Sequence, residues 1–239
     1  MSSAASPARA ADGKPARVPL CRTGDPAELA KAFAARLAGK TGLRRALEAW
    51  ALARDTLEGT LKAQKVDEGA CRKGCDWCCR LRVEIRGVEA VHLARRARGD
   101  PALEARVRAT AARVAGLDGA ARMRADVPCG FLDPASGACA VYEDRPLPCR
   151  AYRSRDAGWC RSLVGPEADI AAIAASGAPP VVKEALGIRG LVQRALVEVT
   201  PPEWRGVGEL NAMTVRVLDA VRPAGASGNG SASGPTRDG

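Results

Sequence analysis

Cys71-Arg72-Lys73-Gly74-Cys75-Asp76-Trp77-Cys78-Cys79 carries four thiols in nine residues, and the rest of the chain is arranged around it. Two backbones suit this stretch. A helix would gather positions i, i+4, i+7 and i+8 within about 100° of one face at 3.6 residues per turn. A loop turning at Gly74 would wrap a metal instead, and the neighbours Cys78 and Cys79 would then project to opposite sides of an extended backbone.

Four further cysteines follow after a long gap, Cys129, Cys139, Cys149 and Cys160, spaced Cys-x9-Cys-x9-Cys-x10-Cys. Two sets of four thiols are what two tetrahedral zinc sites or two iron-sulfur clusters require. One centre per half and a mixed division, in which each half gives ligands to both centres, are both open. Around the second group Pro128, Gly130, Pro134, Gly137, Pro146, Pro148 and Gly158 argue against a long regular helix. Phe131-Leu132 and Ala140-Val141-Tyr142, either side of the turn Asp133 to Gly137, suggest a small hairpin bearing Cys129 and Cys139. The ninth cysteine, Cys21, stands apart as a free thiol.

Regular structure lies to either side of the thiols. Asp25-Pro26-Ala27-Glu28 has the cap acid, first-turn proline and following acid of a helix start, and that helix is predicted to end near Gly39. A second begins at Thr41 with the apolar stripe Leu43, Leu47, Trp50, Leu57 and Leu61, read as core. Leu81, Val83 and Ile85 alternate as in a short extended segment. Gly87 to Arg98 is predicted helical, and Asp100-Pro101 opens a helix burying Leu103, Val107 and Val114. Three more are expected over Pro166 to Ala175, Val181 to Val199, bent near Gly187 and Gly190, and Glu209 to Val221.

The expected fold is therefore mainly α, a compact helical domain over residues 25–222 with irregular cysteine-rich metal-binding loops at 71–160 and at most a small β-hairpin. Residues 1–24 read as a flexible arm, and residues 223–239 as a disordered Gly/Ser-rich tail. Apolar residues make up 46% of the chain but aromatics only 3%, which favours helices packed closely through small side chains.

The formal charge of +10 raises nucleic acid as a partner. Arginines are instead dispersed over helix faces, as at Arg44-Arg45 and Arg95-Arg96-Ala97-Arg98, without interleaved aromatics for base stacking. Nucleic acid is therefore not the leading expectation for a partner. No apolar run is long enough for a signal peptide in Met1 to Leu20 or for a membrane span later, so a cytoplasmic location is expected. There, nine cysteines point to metal or redox chemistry rather than disulfides. The only histidine, His92, excludes repeated Cys2His2 sites and reads as an ordinary helix residue.

Two resemblances enter. Cys71-x3-Cys75-x2-Cys78, with Trp77 before the third cysteine, is similar to the motif of radical S-adenosylmethionine enzymes, though the chain lacks their alternating strands and helices. The wider set, Cys71-x3-Cys75-x2-Cys78-Cys79, Cys129-Gly130-Phe131-Leu132-Asp133 and Cys139-Ala140-Val141-Tyr142-Glu143-Asp144-Arg145-Pro146-Leu147-Pro148-Cys149-Arg150, resembles the YkgJ-like cysteine-cluster family of zinc- or iron-chelating domains. That resemblance implies a compact metal domain with Cys71, Cys75, Cys78, Cys79, Cys129, Cys139, Cys149 and Cys160 as ligands. Arg145 and Arg150, close to Cys149, could offset thiolate charge or hydrogen-bond cluster sulfur.

The expected function is binding of an iron-sulfur cluster or zinc in one or two centres, with a redox or maturation role, an iron-sulfur oxidoreductase as the enzyme class, and a redox or client protein as partner. Two alternatives stand beside it. One is an S-adenosylmethionine-dependent methyl-transfer or radical enzyme, and the other a structural zinc module recruiting a protein or nucleic-acid partner.

Overall fold

The computed structural model describes residues 24–221 except 73, 176 and 178. Cys21, most of the predicted N-terminal arm and the predicted tail lie outside the described residues. The chain is mainly α-helical. In order it forms α1 (Pro26–Arg36), α2 (Gly42–Ala63), β1 (Glu84–Arg86), α3 (Gly87–Arg98), α4 (Pro101–Val114), α5 (Gly119–Ala125), α6 (Leu147–Ala151), α7 (Ala157–Ser162), α8 (Ile170–Ala175), α9 (Lys183–Val199), β2 (Val207–Glu209) and α10 (Leu210–Ala220).

Acidic caps set most of the helix starts. The Asp25 carboxylate accepts from Ala27 N at 2.8 Å and Asp100 from Leu103 N at 3.0 Å, with proline in the first turn of each helix. Asp118, Asp156 and Glu209 do the same for α5, α7 and α10. Two of these helices, α5 and α7, have no counterpart in the expectation from sequence. The other end of several helices is closed by arginine. Arg45 donates to Leu37 O at the end of α1 and to Val199 O at the end of α9, at 2.9 and 2.8 Å. Arg98 donates to Leu218 O and Val221 O at the end of α10. A guanidinium supplies several donors to the carbonyls a helix leaves unpaired.

Two apolar clusters form the core. In the first, α1, α2, α6 and α9 pack Phe33, Trp50, Leu57, Leu147 and Leu196 together, and Ala46, Ala49, Ala53, Ala185 and Ala195 let the helices approach closely. Leu43 in the first turn of α2 is exposed, because the buried face of that helix begins at Ala46. In the second, α3, α4 and α10 enclose Ile85, Leu93, Val107, Phe131, Met213 and Leu218. Helix α3 joins them, giving Val88 to one cluster and Val91 and Leu93 to the other. Helix α9 runs unbroken through Gly187 and Gly190.

The single sheet among the described residues pairs β1 with β2, antiparallel, with Ile85 opposite Gly208. It ties the exit of the first cysteine stretch to the entrance of α10. The expected hairpin at Phe131 to Tyr142 is reduced to one bridge, Leu132 to Cys139, flanked by Ala140 N donating to Phe131 O at 2.8 Å.

Candidate metal centre

The nonet is a loop, not a helix. Gly74 takes a left-handed φ of +87°, which non-glycine residues adopt reluctantly, and a single 3₁₀ turn follows at Trp77–Arg80. Cys78 and Cys79 are successive residues of this turn, and their side chains are close enough to hydrogen-bond each other. Arg80 fastens the turn through Asp76 and Asp126, at 2.9 and 2.7 Å. The guanidinium groups of Arg80 and Arg161 lie over Trp77, 6.0 and 5.6 Å from its ring centre.

The second group arrives on separate supports. Cys129 N donates to Cys79 O at 2.8 Å, which joins the two cysteine stretches directly. Gly130 lies so close to α4 that a β-carbon there would stand 2.6 Å from the Val107 Cα. Asn211, buried on α10, accepts from Gly130 N at 3.0 Å and lies 3.8 Å from the Cys129 sulfur. Cys149 rides on α6 and Cys160 on α7. Ser154, just before α7, donates its backbone N–H to the Cys71 sulfur at 3.4 Å.

Six of the eight thiols, Cys75, Cys78, Cys79, Cys129, Cys139 and Cys149, line one cavity of about 510 Å³. Its other walls include Leu81, Val83, Phe131, Val141 and Leu210, with Arg122, Arg145 and Arg189. Cys71 opens onto a second, ion-rich cavity of about 600 Å³ beside Glu58, Arg72 and Arg153, and Cys149, Tyr142, Arg145 and Tyr152 border both. Cys71 is exposed and Cys160 buried, with the other six between.

Residues 70–165 match a family model, CxxCxxCC, described as "Putative zinc- or iron-chelating domain". That segment is similar to the family's domain. Comparisons with curated proteins and with solved structures return no match.

Within the matched segment, burial pushes the thiols of Cys75, Cys129, Cys139, Cys149 and Cys160 up from their ordinary range. Cys78 is raised first by its hydrogen bond with Cys79 and then by burial. A bound cation would supply the charge that favours their ionised form, so metal uptake should release protons. The donor set fits zinc or iron-sulfur chemistry: all sulfur, drawn from loops, with cationic side chains alongside. Among the described residues no three histidine, cysteine or acidic side chains stand together in ligating geometry.

Arg145 stacks on Tyr142, 3.9 Å from the ring centre, and its charge acts on Cys78, Cys139 and Cys149. Arg150 instead braces the loop, donating to Arg145 O, to the Glu58 carboxylate at 2.7 Å and to Glu143 O. Its charge reaches Cys139. Arg122, which the sequence did not single out, is 1% exposed, lines the cavity, donates to Val127 O and has no partner for its Nε. Burial lowers its pKa, opposed by the charges of Glu209 and Cys129. His92 is a packing residue, its ring 4.2 Å from that of Trp50 and its Nε2 donating to Leu47 O.

Proposed function

We propose that the eight cysteines of the chelating domain hold iron as iron-sulfur centres, and that the chain carries single electrons between a donor and an acceptor protein. The supporting observation is the cavity walled by six thiols, apolar side chains and guanidinium groups, which offers sulfur ligands, room beyond a bare ion, and positive charge beside anionic sulfur. An iron-sulfur centre held there would supply one-electron transfer, accepting an electron from a reduced donor and returning it to an oxidised acceptor. The chain's own part is to fix sulfur positions through Asn211 and Ser154, offset charge through Arg145 and Arg122, and shield the site with Phe131 and Val141.

The S-adenosylmethionine alternative gains no support from the fold. The strands among the described residues are β1 and β2 alone, and Gly187 and Gly190 lie inside α9 rather than at a strand-to-helix turn. No helix among the described residues is long and apolar enough to cross a membrane. The chain's charge also has structural uses, since Arg45, Arg98 and Arg205 close helix ends.

Anaerobic purification with iron, zinc and sulfide analysis tests the reading. Iron with matching acid-labile sulfide, and a brown colour bleached by dithionite, is the expected result. Colourless protein containing zinc would replace iron by a structural metal. Protein with no metal and all nine cysteine thiols freely titratable would overturn metal binding itself.

A further inference from the structure

The packing of α1 against α9 leaves a cleft of about 740 Å³, within the ordinary range of small-molecule sites. Four cations converge on it from three elements. Lys31 comes from α1, Arg189 and Arg194 from α9, and Arg86 from the end of β1, while Glu198 is the one acid on its walls among the described residues. Other exposed arginines of this chain find carboxylates, as Arg44 does with Glu48, Arg80 with Asp126 and Arg108 with Asp219. Among the described residues none of the four cations of the cleft forms an ion pair. The Arg189 Nε is buried without a hydrogen-bond partner. Its charge acts on Glu89, but that carboxylate already accepts from Arg86 N and Leu147 N. Like charges gathered at one cleft repel, and a bound anion relieves the repulsion.

The floor of the cleft is apolar. Ala27, Ala30 and Ala34 follow one another along one face of α1, opposite Val197 of α9. Gly190 lies inside α9, where glycine weakens a helix. Its missing side chain keeps the floor open, since a β-carbon there would meet only the Arg194 Nη1, at 3.7 Å. No aromatic side chain stands on these walls among the described residues, so nothing offers a stacking surface to a nucleobase. Residues 1–23 carry Arg9, Lys14, Arg17 and Arg22 against Asp12 alone, the wrong charge for the chain's own start to fill the cleft.

We infer that the cleft binds a small phosphate monoester with an apolar portion. The phosphate is held by Arg86, Arg189 and Arg194 with Lys31 at the rim, and the apolar portion lies along Ala30, Ala34 and Val197. A dianion with three free oxygens can take donors from several guanidinium forks at once, whereas a carboxylate is satisfied by one. Arg189 is also a wall of the thiol cavity, so the variants that test the cleft leave it in place and the outcome does not depend on the metal.

Calorimetric titration of the full chain with hexyl phosphate, hexanoate and inorganic phosphate is the test. Hexyl phosphate should bind saturably and more tightly than either of the others, because only it offers both parts of the ligand. R194A and K31A should each weaken it about tenfold, the scale of one charge-assisted hydrogen bond. R113A, which removes an exposed charge from α4, should leave binding unchanged. G190L should abolish binding by filling the floor while keeping or raising the urea midpoint, which separates a lost site from a lost fold. Co-sedimentation with phosphatidic acid vesicles then tells a lipid headgroup from a soluble ligand: R194A-sensitive capture assigns the phosphate to a lipid, and its absence to a free metabolite. No saturable binding of hexyl phosphate, equal weakening by R113A and R194A, or wild-type binding by G190L overturns the inference. Poly-glutamate binding in preference to hexyl phosphate also overturns it, in favour of an acidic protein partner.

Discussion

Arg122 is buried with an unpaired Nε at the wall of a thiol-lined cavity, and a buried donor left unsatisfied costs about 1–3 kcal/mol unless a bound group completes it. R122M should therefore weaken metal binding by about 10–100-fold, measured by chelator competition, as for other groups that support metal ligands. Unchanged affinity would leave Arg122 serving the Val127 carbonyl alone. Two other buried titratable groups oppose each other in their pH dependence. Burial raises the Glu89 carboxyl to about 7, although Arg86 N and Leu147 N donate to it. Between the ordinary 4.5 and about 7 the folded chain holds a proton that the unfolded chain has released, so this group's contribution is full at low pH and falls by ~3 kcal/mol as pH rises through that window. His92 has the opposite sign, its pKa being lowered by burial, so its contribution is present above 6.5 and lost as pH falls through the lowered folded value. E89Q should lower stability overall while steepening the loss on acidification, read from urea unfolding at pH 5 and 7.5. A pH dependence unchanged by E89Q would show that Glu89 is already ionised at pH 5.

Helices announced themselves where a cap acid met a long apolar stripe, as at Asp25 and Asp100. The short α5 and α7 did not, since a helix of six or seven residues has too few turns for periodicity to register, although Asp118 and Asp156 stand at cap positions. The β1–β2 pair escaped for a different reason, because its strands are distant in sequence and no local turn joins them. The ligand candidates were legible as spacing alone, whereas the residues that hold them were not. Asn211 looks like any polar residue of α10 until the fold brings Gly130 to it, and Gly130 looks like loop punctuation until α4 passes against it. That close approach is testable. G130A must push the Cys129 loop away from the α4 backbone, and a loss of about 1–3 kcal/mol in urea unfolding is expected, with weaker metal binding. If stability and binding both stay at wild-type values, the contact between loop and helix does not position Cys129.

Across the whole molecule the metal domain and the core overlap unequally. The cluster of α1, α2 and α9 includes no cysteine, whereas Cys129, Cys139 and Cys149 pack against the cluster of α3, α4 and α10. Stripping the metal should then release the loops around residues 71–81 and 127–163 first, because site formation and folding are linked. Hydrogen exchange on chelated protein should find α2 and α9 still protected and these loops freely exchanging, while uniform loss of protection would mean that the metal holds the entire fold together. The two cavities that share Tyr142, Arg145, Cys149 and Tyr152 also bear on how the centres meet their surroundings. One is mainly greasy and the other ionic, so a nonpolar gas such as dioxygen would favour the first and a hydrated anion such as citrate the second, and the shared wall of Tyr142, Arg145, Cys149 and Tyr152 is where a single substitution would alter the protein's exposure to both.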